Sequence, residues 1–543
     1  METTSNKHIQ ILADLLYKRG VRHAVVMPGS RNAPISIALN RQPGIECHVV
    51  VDERCGGFLA LGMAQYTREC VAVVCTSGTA VLDLSPAVAE AYYQSIPLLV
   101  ISADRPEEWI DQDDSQTIRQ NGILSNFVKK SFCLPMFGGT GKDISWANRV
   151  INDAVNMTMC GRKGPVHLNV PLDIPLYELS CVDNKVKSHM VPLYEPVKVL
   201  EEKAFKALFD KISNKKVMLL AGFMPKSAGL NSVLNELATK SNLAIMAEGI
   251  SNLCGDFVNN NVESFFSFLL EGNSHKEILR PEVLIVVGGA LVSKSCKKLF
   301  RENNPGLTIR ISPEDSLIDT FKSLDLQVDV DKEMFFKELL AKSVNFDSRY
   351  SSAVNKVCAE LRQKCQSCSI DNFDEEGIFR AIYDIIPEGS VVHLSNGTSV
   401  RYGLQWQNEK RLELYSNRGT SGIDGCTSTA VGSAMVNGTT TTLITGDLSF
   451  LYDSNSLWND NLPDNLVIVI INNHGGGIFS KMKGPREVEE YEKYFYTPQK
   501  VNVEKLSSAY GIDYYCADNY TTLKTSMEAA YAKNQIAIVD VSL

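Results

Sequence analysis

Two apolar stretches in the last quarter of the sequence each stop at residues that can bind a metal or a polar ligand. Residues 467–471 are followed by Asn472, Asn473 and three glycines, and the stretch TTLIT is followed by Gly446 and Asp447. Both stretches have the pattern of buried strands, and the 26 residues from Asp447 to Asn473 leave room for one helix and one strand. Because parallel strands joined in this way end at one edge of their sheet, we predict that Asp447 and Asn473 lie close together.

The donor atoms at these strand ends suit a hard divalent cation. A carboxylate, a side-chain amide oxygen and accessible backbone carbonyls match Mg²⁺ whose octahedron is completed by diphosphate oxygens. The adjacent glycines let an anion approach the backbone closely. Gly-Asp and Asn-Asn are also common turn residues, so either pair alone is weak evidence. The two pairs together, at this spacing, favour a metal–diphosphate site.

The size and charge of the chain exclude several classes of protein. Its 543 residues, 44% hydrophobic and 22% charged, indicate a folded chain of about two to four domains. The net charge of −9 argues against a nucleic-acid partner, which requires a basic face. The N-terminus lacks a signal-peptide core, and no apolar run approaches the ~20 residues of a membrane span. We therefore expect a cytoplasmic protein.

Short apolar runs alternate with helical patterns along almost the whole chain, which predicts an α/β protein with mostly parallel sheets flanked by helices. We expect a first domain at residues 1–178, a middle domain at 196–342 and a third at 373–543, with a linker from 179 to about 199. The predicted strands are HAVVMPG, CHVVVDE, VAVVCTSG, PLLVISAD and VHLNVPLD; then KKVMLLAGF, NLAIMAEG, VLIVVGGALVSK, LTIRISP and LQVDVD; then SVVHLSNG, ELYSNRG, TTLITGDLSF, NLVIVIINN and IAIVDVSL.

Two further motifs carry little weight. Cys365 and Cys368 form the only C-x-x-C in the sequence, and no second pair completes a zinc site, so we interpret them as reduced thiols. The stretch GGTGKD at residues 138–143 is not a phosphate-binding loop. It lacks the earlier glycine, and Asp follows the lysine in place of Ser or Thr.

The pair of strand ends resembles the fingerprint of the thiamine-diphosphate-dependent enzymes, G-D-G followed some 25 to 30 residues later by N-N. Leu448 stands here in place of the third glycine. The resemblance implies a thiamine-diphosphate cofactor with Mg²⁺ (or Mn²⁺) held by Asp447, Asn473 and the carbonyl of Gly475. It further implies that Gly446, Leu448 and Ser449 contact the cofactor, and that His474 has no role.

The first domain also resembles that superfamily, in VDERCGGFLALGMAQ and in TSGTAVLDLSPAVAEAYYQSIPLLVISADRP. By this resemblance Glu53 is the catalytic, cofactor-binding glutamate. A carboxylate bonded to the aminopyrimidine ring favours the tautomer that takes the proton from the thiazolium. Without the resemblance, a glutamate at the start of a helix is more simply explained as a charge that faces the helix dipole.

Within the superfamily the chain resembles the MenD family of menaquinone-biosynthesis synthases, in PGSRNAPISIAL, SADRPEEWIDQDDSQTIRQ, SNRGTSGIDG, GDLSFLYDSNSL and NNHGGGIFS. That family joins 2-oxoglutarate to isochorismate by 1,4-addition with loss of CO₂. Both substrates are dicarboxylates, for which arginine is the suitable partner. The implied substrate residues are Ser30, Arg31, Arg105, Gln116 and Lys294 for isochorismate, Arg401 and Arg418 for the 2-oxoglutarate-derived group, and Asn396 for substrate and cofactor.

The same resemblance implies further contacts with the cofactor, made by Asn396, Gly397, Ile423, Ile478 and Phe479. Ile423 would bend the cofactor, and Ile478 and Phe479 would form an apolar wall beside the thiazolium.

The sequence departs from the family at three places. Asn32 stands where the family often has serine, and Ser295 stands where it often has a basic residue. Gly397 also replaces a frequent serine, which leaves Thr398 or Ser399 as the source of that hydroxyl.

The resemblance also implies a homodimer, or a dimer of dimers, with each site formed by the first domain of one subunit and the third domain of another. Two alternatives remain at this point. One is another 2-oxo acid decarboxylase or ligase of the superfamily, similar to acetolactate synthase. The more distant one is a non-catalytic nucleotide-binding protein that uses the middle domain.

Overall fold

The structure is a computed structural model that describes residues 2–136, 138, 140–182, 187–272, 277–312, 317–367, 372–406 and 410–543. Within these residues the chain forms three six-stranded sheets, each fully parallel and flanked by helices, and one two-stranded sheet. The α/β fold class predicted from the alternating apolar runs is therefore confirmed. Among the described residues, no helix combines the length and apolar character needed to cross a bilayer. Cys368 of the C-x-x-C pair lies outside the described residues.

The first sheet has the strand order β3-β2-β4-β5-β7-β6. Its central strands are short runs rich in valine, isoleucine and leucine that are buried on both faces, as expected for parallel strands covered by helices. The elements of this part of the chain are β1 (Glu2–Thr4), α1 (Lys7–Lys18), β2 (His23–Val26), α2 (Ala33–Asn40), β3 (Glu46–Val49), α3 (Glu53–Thr67), β4 (Val71–Cys75), α4 (Ala80–Asp83), α5 (Ser85–Gln94), β5 (Leu98–Asp104), β6 (Ser131–Cys133), α6 (Gly141–Met159), β7 (Val166–Pro171) and β8 (Leu179–Cys181).

Two segments of this region are more ordered than the sequence suggested. Residues 179–181, which we assigned to a linker, form β8 and pair antiparallel with β1 near the N-terminus. Within the GGTGKD stretch, Thr140 and Asp143 cap the start of α6, each accepting a hydrogen bond from the other's backbone amide. Part of that stretch therefore has a structural role.

The middle sheet has the order β11-β10-β9-β12-β13-β14, which is the order of doubly wound dinucleotide-binding folds. Its elements are α7 (Glu202–Ile212), β9 (Val217–Ala221), α8 (Ala228–Ser241), β10 (Ala244–Ala247), β11 (Val258–Asn259), α9 (Val262–Leu270), β12 (Val283–Val287), α10 (Lys294–Glu302), β13 (Leu307–Ile311), β14 (Leu326–Val328), α11 (Lys332–Ala341) and α12 (Ser348–Ser367).

The third sheet has the order β16-β15-β17-β18-β20-β19. Its elements are α13 (Glu375–Ile385), β15 (Val391–Leu394), α14 (Thr398–Gly403), β16 (Glu413–Tyr415), α15 (Cys426–Asn437), β17 (Thr441–Gly446), α16 (Asp447–Tyr452), β18 (Leu466–Asn472), α17 (Gly477–Ser480), α18 (Lys483–Arg486), a π-helical turn (Tyr491–Tyr496), α19 (Val503–Tyr510), β19 (Asp513–Ala517), α20 (Tyr520–Ala532) and β20 (Ala537–Ser542).

The first and third sheets share one hydrophobic core, in which α3 packs against α15. Glycines at the crossing allow the two backbones to approach closely. A Cβ atom on Gly62 would lie 2.0 Å from the carbonyl oxygen of Thr429, and one on Gly432 would lie 1.9 Å from that of Leu59. This packing fixes the first sheet relative to the third within one chain.

Candidate active site

Asp447 and Asn473 lie at the ends of neighbouring strands of the third sheet. β17 and β18 pair in parallel with Gly446 opposite Ile471, and Asp447 and Asn473 lie immediately beyond those strand ends. Asp447 is buried, and Asn473 is partly buried. The structure thus brings together the two oxygen donors that the strand pattern predicted to be close.

The last residue of the π-helical turn and the loop that follows it hold these strand ends in place, and nothing in the sequence marks either of them. The side-chain amide of Gln499 donates to Asp447 Oδ2 at 2.8 Å and to Asn472 Oδ1 at 3.2 Å. The hydroxyl of Tyr496 donates to the backbone oxygen of Asn473 at 2.6 Å. Both residues come from a loop and a short turn, where neither hydrophobic periodicity nor a motif marks them.

The backbone of the turn after β18 is tightly packed. A Cβ atom on Gly475 would lie 2.8 Å from the Tyr496 ring, so this position requires glycine. The carbonyl of Gly475 accepts from the amide of Gly477 at 2.9 Å, which leaves a second lone pair. His474 adopts φ +60° and its side chain is exposed.

The residues of the third sheet fit a Mg²⁺–diphosphate group. Burial raises the pKa of Asp447, although Gln499 opposes this shift, and a bound divalent cation would stabilise the charged carboxylate. Backbone positions beside it are open, since a Cβ atom on Gly446 or Gly397 would meet no atom within 4 Å. Leu448 and Ser449 follow Asp447 on α16, so the predicted cofactor-binding residues Gly446, Leu448 and Ser449 lie at the edge that carries the candidate metal ligands.

Asn396 and Arg418 form a network beside this edge. Arg418 donates through Nη1 to Asn396 Oδ1 at 2.8 Å, and the Asn396 amide donates to the backbone oxygens of Asn417 and Gly422, each at 2.7 Å. Burial lowers the pKa of Arg418, and the positive charge of Arg401 lowers it further. The two arginines are therefore electrostatic neighbours, as expected if both hold one carboxylate-bearing group.

Arg401, Lys294 and Ile478 line one cavity of about 290 Å³ between the middle sheet and the third sheet. Thr398 lines this cavity too, whereas Ser399 is buried, so Thr398 is the better placed of the two hydroxyls. Phe479 packs against Phe495 at a ring distance of 5.7 Å.

The apolar residue predicted to bend the cofactor, Ile423, directly follows Gly422, whose backbone oxygen accepts from Asn396, and does not line the Arg401 cavity. Ile423 is 37% exposed, and its carbonyl accepts from the Ser449 hydroxyl at 3.2 Å.

Two carboxylates around this cavity were not among the residues predicted from the sequence. Glu248, which lines it from the middle sheet, is buried and accepts from the amides of Val292 and Ser293 at 2.7–2.9 Å. Burial raises the pKa of Glu248 to about 7. Glu375 pairs with Lys481 at 3.0 Å and accepts from the Asn473 amide at 3.4 Å. Glu248 directly follows the predicted strand NLAIMA, the same signal that marks Asp447, whereas Glu375 begins α13 and no motif marks it.

A second group of predicted residues lies at the corresponding edge of the first sheet. Arg31 is buried and donates to the backbone oxygen of Leu172 at 2.8 Å, and Arg105 pairs with Asp114 at 2.8 Å. Burial, together with the charge of Arg105, lowers the pKa of Arg31, so the two guanidinium groups are neighbours. Ser30 is exposed beside Arg31.

Glu53 begins α3 and lines a separate cavity of about 290 Å³, which Gln116 and Thr76 also line. Burial raises the pKa of Glu53, its own backbone amide opposes this, and Asp83 and Asp52 raise it further. The buried hydroxyl of Thr76 has no hydrogen-bond partner among the described residues. A carboxyl group beside an unpaired hydroxyl suits a polar heterocycle such as an aminopyrimidine.

The predicted residues thus fall into two groups within one chain. Among the described residues, none lines both the cavity of Glu53 and the cavity of Arg401.

At two of the three positions where the sequence departs from the family pattern, the side chain makes a hydrogen bond within the chain. Asn32 donates to the backbone oxygen of Met27 at 2.8 Å, and the Ser295 hydroxyl donates to Glu263 at 2.7 Å.

Comparison with known proteins identifies the two flanking domains. Residues 7–123 match the thiamine pyrophosphate enzyme, N-terminal TPP binding domain, and residues 396–541 match the thiamine pyrophosphate enzyme, C-terminal TPP binding domain. These ranges contain the Glu53 group and the Asp447 group respectively.

Full-length relatives carry one name. The chain is 36% identical over 531 residues to the 2-succinyl-5-enolpyruvyl-6-hydroxy-3-cyclohexene-1-carboxylate synthase of Flavobacterium johnsoniae, covering 97% of this chain and 94% of the relative. It is 37% identical over 516 residues to the enzyme of that name from Desulfotalea psychrophila, covering 94% and 93%. For the one from Porphyromonas gingivalis, the identity is 35% and the coverage 99% and 94%. The chain therefore belongs to the 2-succinyl-5-enolpyruvyl-6-hydroxy-3-cyclohexene-1-carboxylate synthase family, MenD, of the thiamine-diphosphate-dependent enzymes.

Proposed function

We propose that this chain uses thiamine diphosphate and Mg²⁺ to decarboxylate 2-oxoglutarate and to add the remaining four-carbon unit to isochorismate by 1,4-addition. The product is 2-succinyl-5-enolpyruvyl-6-hydroxy-3-cyclohexene-1-carboxylate, with CO₂ released, in menaquinone biosynthesis. The name shared by the full-length relatives supports this function over that of an acetolactate-synthase-like enzyme or a nucleotide-binding protein.

The observation that carries the substrate proposal is a set of unpaired guanidinium donors. The buried Nε atoms of Arg105, Arg401 and Arg418 have no hydrogen-bond partner among the described residues. An unsatisfied buried donor costs about 1–3 kcal/mol, and more for a charged group. A net-negative chain that keeps three such donors among its candidate site residues fits substrates that bring their own carboxylates.

The residues that would hold the cofactor are those gathered at the two sheet edges. Asp447, Asn473 and the carbonyl of Gly475 would bind Mg²⁺, with Gln499 holding the Asp447 carboxylate in position. When bound, thiamine diphosphate supplies the electron sink that accepts the electrons released with CO₂. Glu53 would share a proton with a ring nitrogen of the aminopyrimidine, and its raised pKa suits that task.

The two substrates would use the two arginine groups separately. Arg401, which lines a cavity with Ile478 and Lys294, and its electrostatic neighbour Arg418 would hold the carboxylate of the 2-oxoglutarate-derived group. The ring acid would be bound by Ser30, Arg31, Arg105 and Gln116 from the edge of the first sheet and by Lys294 from the Arg401 cavity. Bidentate pairing would orient each acid without a basic side chain having to move a proton for carbon–carbon bond formation.

Each complete site would form between two subunits. The separation of the Glu53 cavity from the Arg401 cavity within one chain supports this arrangement. A two-fold dimer would place the first sheet of each chain opposite the third sheet of its partner and so give two equal sites.

Product identification tests the function. Purified protein with thiamine diphosphate, Mg²⁺, 2-oxoglutarate and isochorismate should release one CO₂ per product molecule, and mass spectrometry should detect the succinyl-cyclohexene adduct. Pyruvate in place of 2-oxoglutarate should give little product. Condensation of pyruvate at an equal rate would support an acetolactate-synthase-like activity and contradict the proposal.

A further inference from the structure

Two histidines and a glutamate lie together on one face of the first sheet, outside the candidate active site. His23 begins β2 and Glu46 begins β3, and these two residues are opposite each other in the parallel register. His48 follows two residues after Glu46 and therefore lies on the same face. The active-site residues follow the carboxyl ends of these strands, whereas His23 and Glu46 lie at their amino ends.

The ligand atoms of the three side chains form a compact triangle. His23 Nδ1 lies 3.3 Å from His48 Nε2. Glu46 Oε2 lies 3.7 Å from His23 Nδ1, and the other carboxylate oxygen, Oε1, lies 4.0 Å from His48 Nε2. A tetrahedral zinc ion with bonds of about 2.0–2.1 Å separates its ligand atoms by about 3.3–3.4 Å. The two nitrogens already have this spacing. With one ligand atom from each residue, all three atoms lie within 4.8 Å of one another, so the exposed Glu46 carboxylate has to turn to bring one oxygen to bonding distance of a shared ion.

The surroundings keep the imidazoles in the form that binds metals. His48 is buried, and burial lowers its pKa, although Glu46 opposes the shift and His23 adds to it. Burial also lowers the pKa of His23, against the negative charges of Glu46 and Glu69. A neutral imidazole is the form that ligates a metal, and the adjacent carboxylate supplies negative charge.

We propose that His23, Glu46 and His48 form a zinc site that joins edge strand β3 to β2. Two imidazole nitrogens and one carboxylate form a ligand set common in zinc proteins. The Glu46 side chain is 67% exposed, so the fourth position is open to water. The site ties an edge strand, which has a hydrogen-bonded neighbour on one side only, to the body of the sheet.

The test uses untagged full-length protein loaded with thiamine diphosphate and Mg²⁺, so that the catalytic metal site is filled. Dialysis against Zn²⁺ followed by metal analysis should give one zinc per chain. Zinc should also raise the melting temperature, because a ligand that binds only the folded state stabilises it. Replacing zinc by Co²⁺ should give the visible spectrum of a tetrahedral site without the charge-transfer band of a thiolate, which excludes the 14 cysteines as ligands.

Matched variants separate this site from adventitious binding. Glu46→Gln changes an exposed side chain and should keep the fold, yet weaken zinc binding more than about tenfold, since even outer-shell partners of a metal contribute about 10–100-fold. His23→Gln and His48→Gln should abolish binding. Glu69→Gln removes the nearby carboxylate that is not in the ligand triangle and should bind zinc as the parent does.

Two results would overturn the proposal. In one, the parent takes up no more zinc than His23→Gln, in which case the two histidines share only a hydrogen bond. In the other, Glu46→Gln and His23→Gln retain parental zinc affinity, which would locate the bound zinc elsewhere.

Discussion

The first and third sheets have the same strand order but carry different chemistry at the same edge. Numbered within each sheet, both follow the order second, first, third, fourth, sixth, fifth. Arg31, Glu53, Thr76 and Arg105 follow four adjacent strands of the first sheet. The residues after the corresponding strands of the third sheet are Asn396, Arg418, Asp447 and Asn473.

The comparison shows that this architecture supplies an edge, while the residues after each strand decide what the edge binds. The fourth strand of the first sheet ends at a guanidinium that suits a carboxylate, and its counterpart in the third sheet ends at amides that suit a metal. Neither edge has the complete set for the proposed reaction. In the proposed dimer, the edge of the first sheet in one chain supplies the groups that the edge of the third sheet in its partner lacks.

The largest effect should come from Glu53, the candidate catalytic carboxylate at the edge of the first sheet. Glu53→Gln keeps the side-chain size but cannot share the proton, so kcat should fall about 10²–10⁴-fold, the usual contribution of general acid–base groups. Binding of thiamine diphosphate, measured by calorimetry, should stay within a few-fold of the parent. NMR exchange of the thiazolium C2 proton at the parental rate would show that Glu53 is not the activating group.

The next largest effect should come from the edge of the third sheet. Asp447→Ala removes a ligand rather than an outer-shell partner, so Mg²⁺-dependent cofactor binding should weaken by more than about 100-fold. The matched control is Asp464→Ala, an exposed aspartate that precedes β18. If calorimetry gives equal affinities for the two variants, the metal assignment is wrong.

Arginine substitutions should separate the two substrates. Arg401→Ala or Arg418→Ala should lower kcat/KM for 2-oxoglutarate about 10- to 150-fold, which corresponds to the ~1.5–3 kcal/mol of a hydrogen bond to a charged group. Arg31→Ala and Arg105→Ala should leave the spectral change caused by 2-oxoglutarate intact and slow the reaction with isochorismate. Arg349→Ala, on the exposed face of α12, should have no effect.

Stopped-flow spectra could also show that Arg31→Ala abolishes the spectral change caused by 2-oxoglutarate while Arg401→Ala slows only the reaction with isochorismate. That result would mean that the two pockets are interchanged. If none of the four arginines affected either step, the assignment of dicarboxylate substrates to these groups would have no support.

The smallest effect should come from a residue that touches only a metal ligand. Gln499→Ala leaves Asp447 Oδ2 without its donor, so Mg²⁺ affinity should fall about tenfold, the low end of the range for outer-shell partners. Gln535→Ala removes a glutamine that donates to the distant carboxylate of Asp513 and serves as the control. Parental affinity in Gln499→Ala would mean that this bond does not position the ligand.

The sequence predicted the buried strands well and the edge strands poorly. The three six-stranded sheets contain three strands that we did not predict, β6, β11 and β19, and all three lie at a sheet edge. An edge strand is short or only half covered, so its sequence lacks the continuous apolar run that marks a central strand. The segment DYYCA of β19, mostly part-buried or exposed, is an example.

The same distinction applies to the site. Asp447 and Asn473 could be found because each directly follows a buried strand. Gln499 and Tyr496 reach the site from a loop and a short turn, and only the tertiary structure brings them there. Glu248 does follow a buried strand, β10, but that strand belongs to the middle sheet, and its sequence does not show that it ends beside the third sheet. Burial of Glu248, which raises its pKa to about 7, likewise depends on contacts distant in sequence.

Subunit complementation tests the central claim that the two edges combine across a dimer. A hybrid dimer of one Glu53→Gln chain and one Asp447→Ala chain, purified through two different tags, has one site with both changes and one site with neither. We expect roughly half of the parental activity from this hybrid, although each variant homodimer is nearly inactive. A hybrid as inactive as the two homodimers, or a parent that is monomeric while active, would contradict the account.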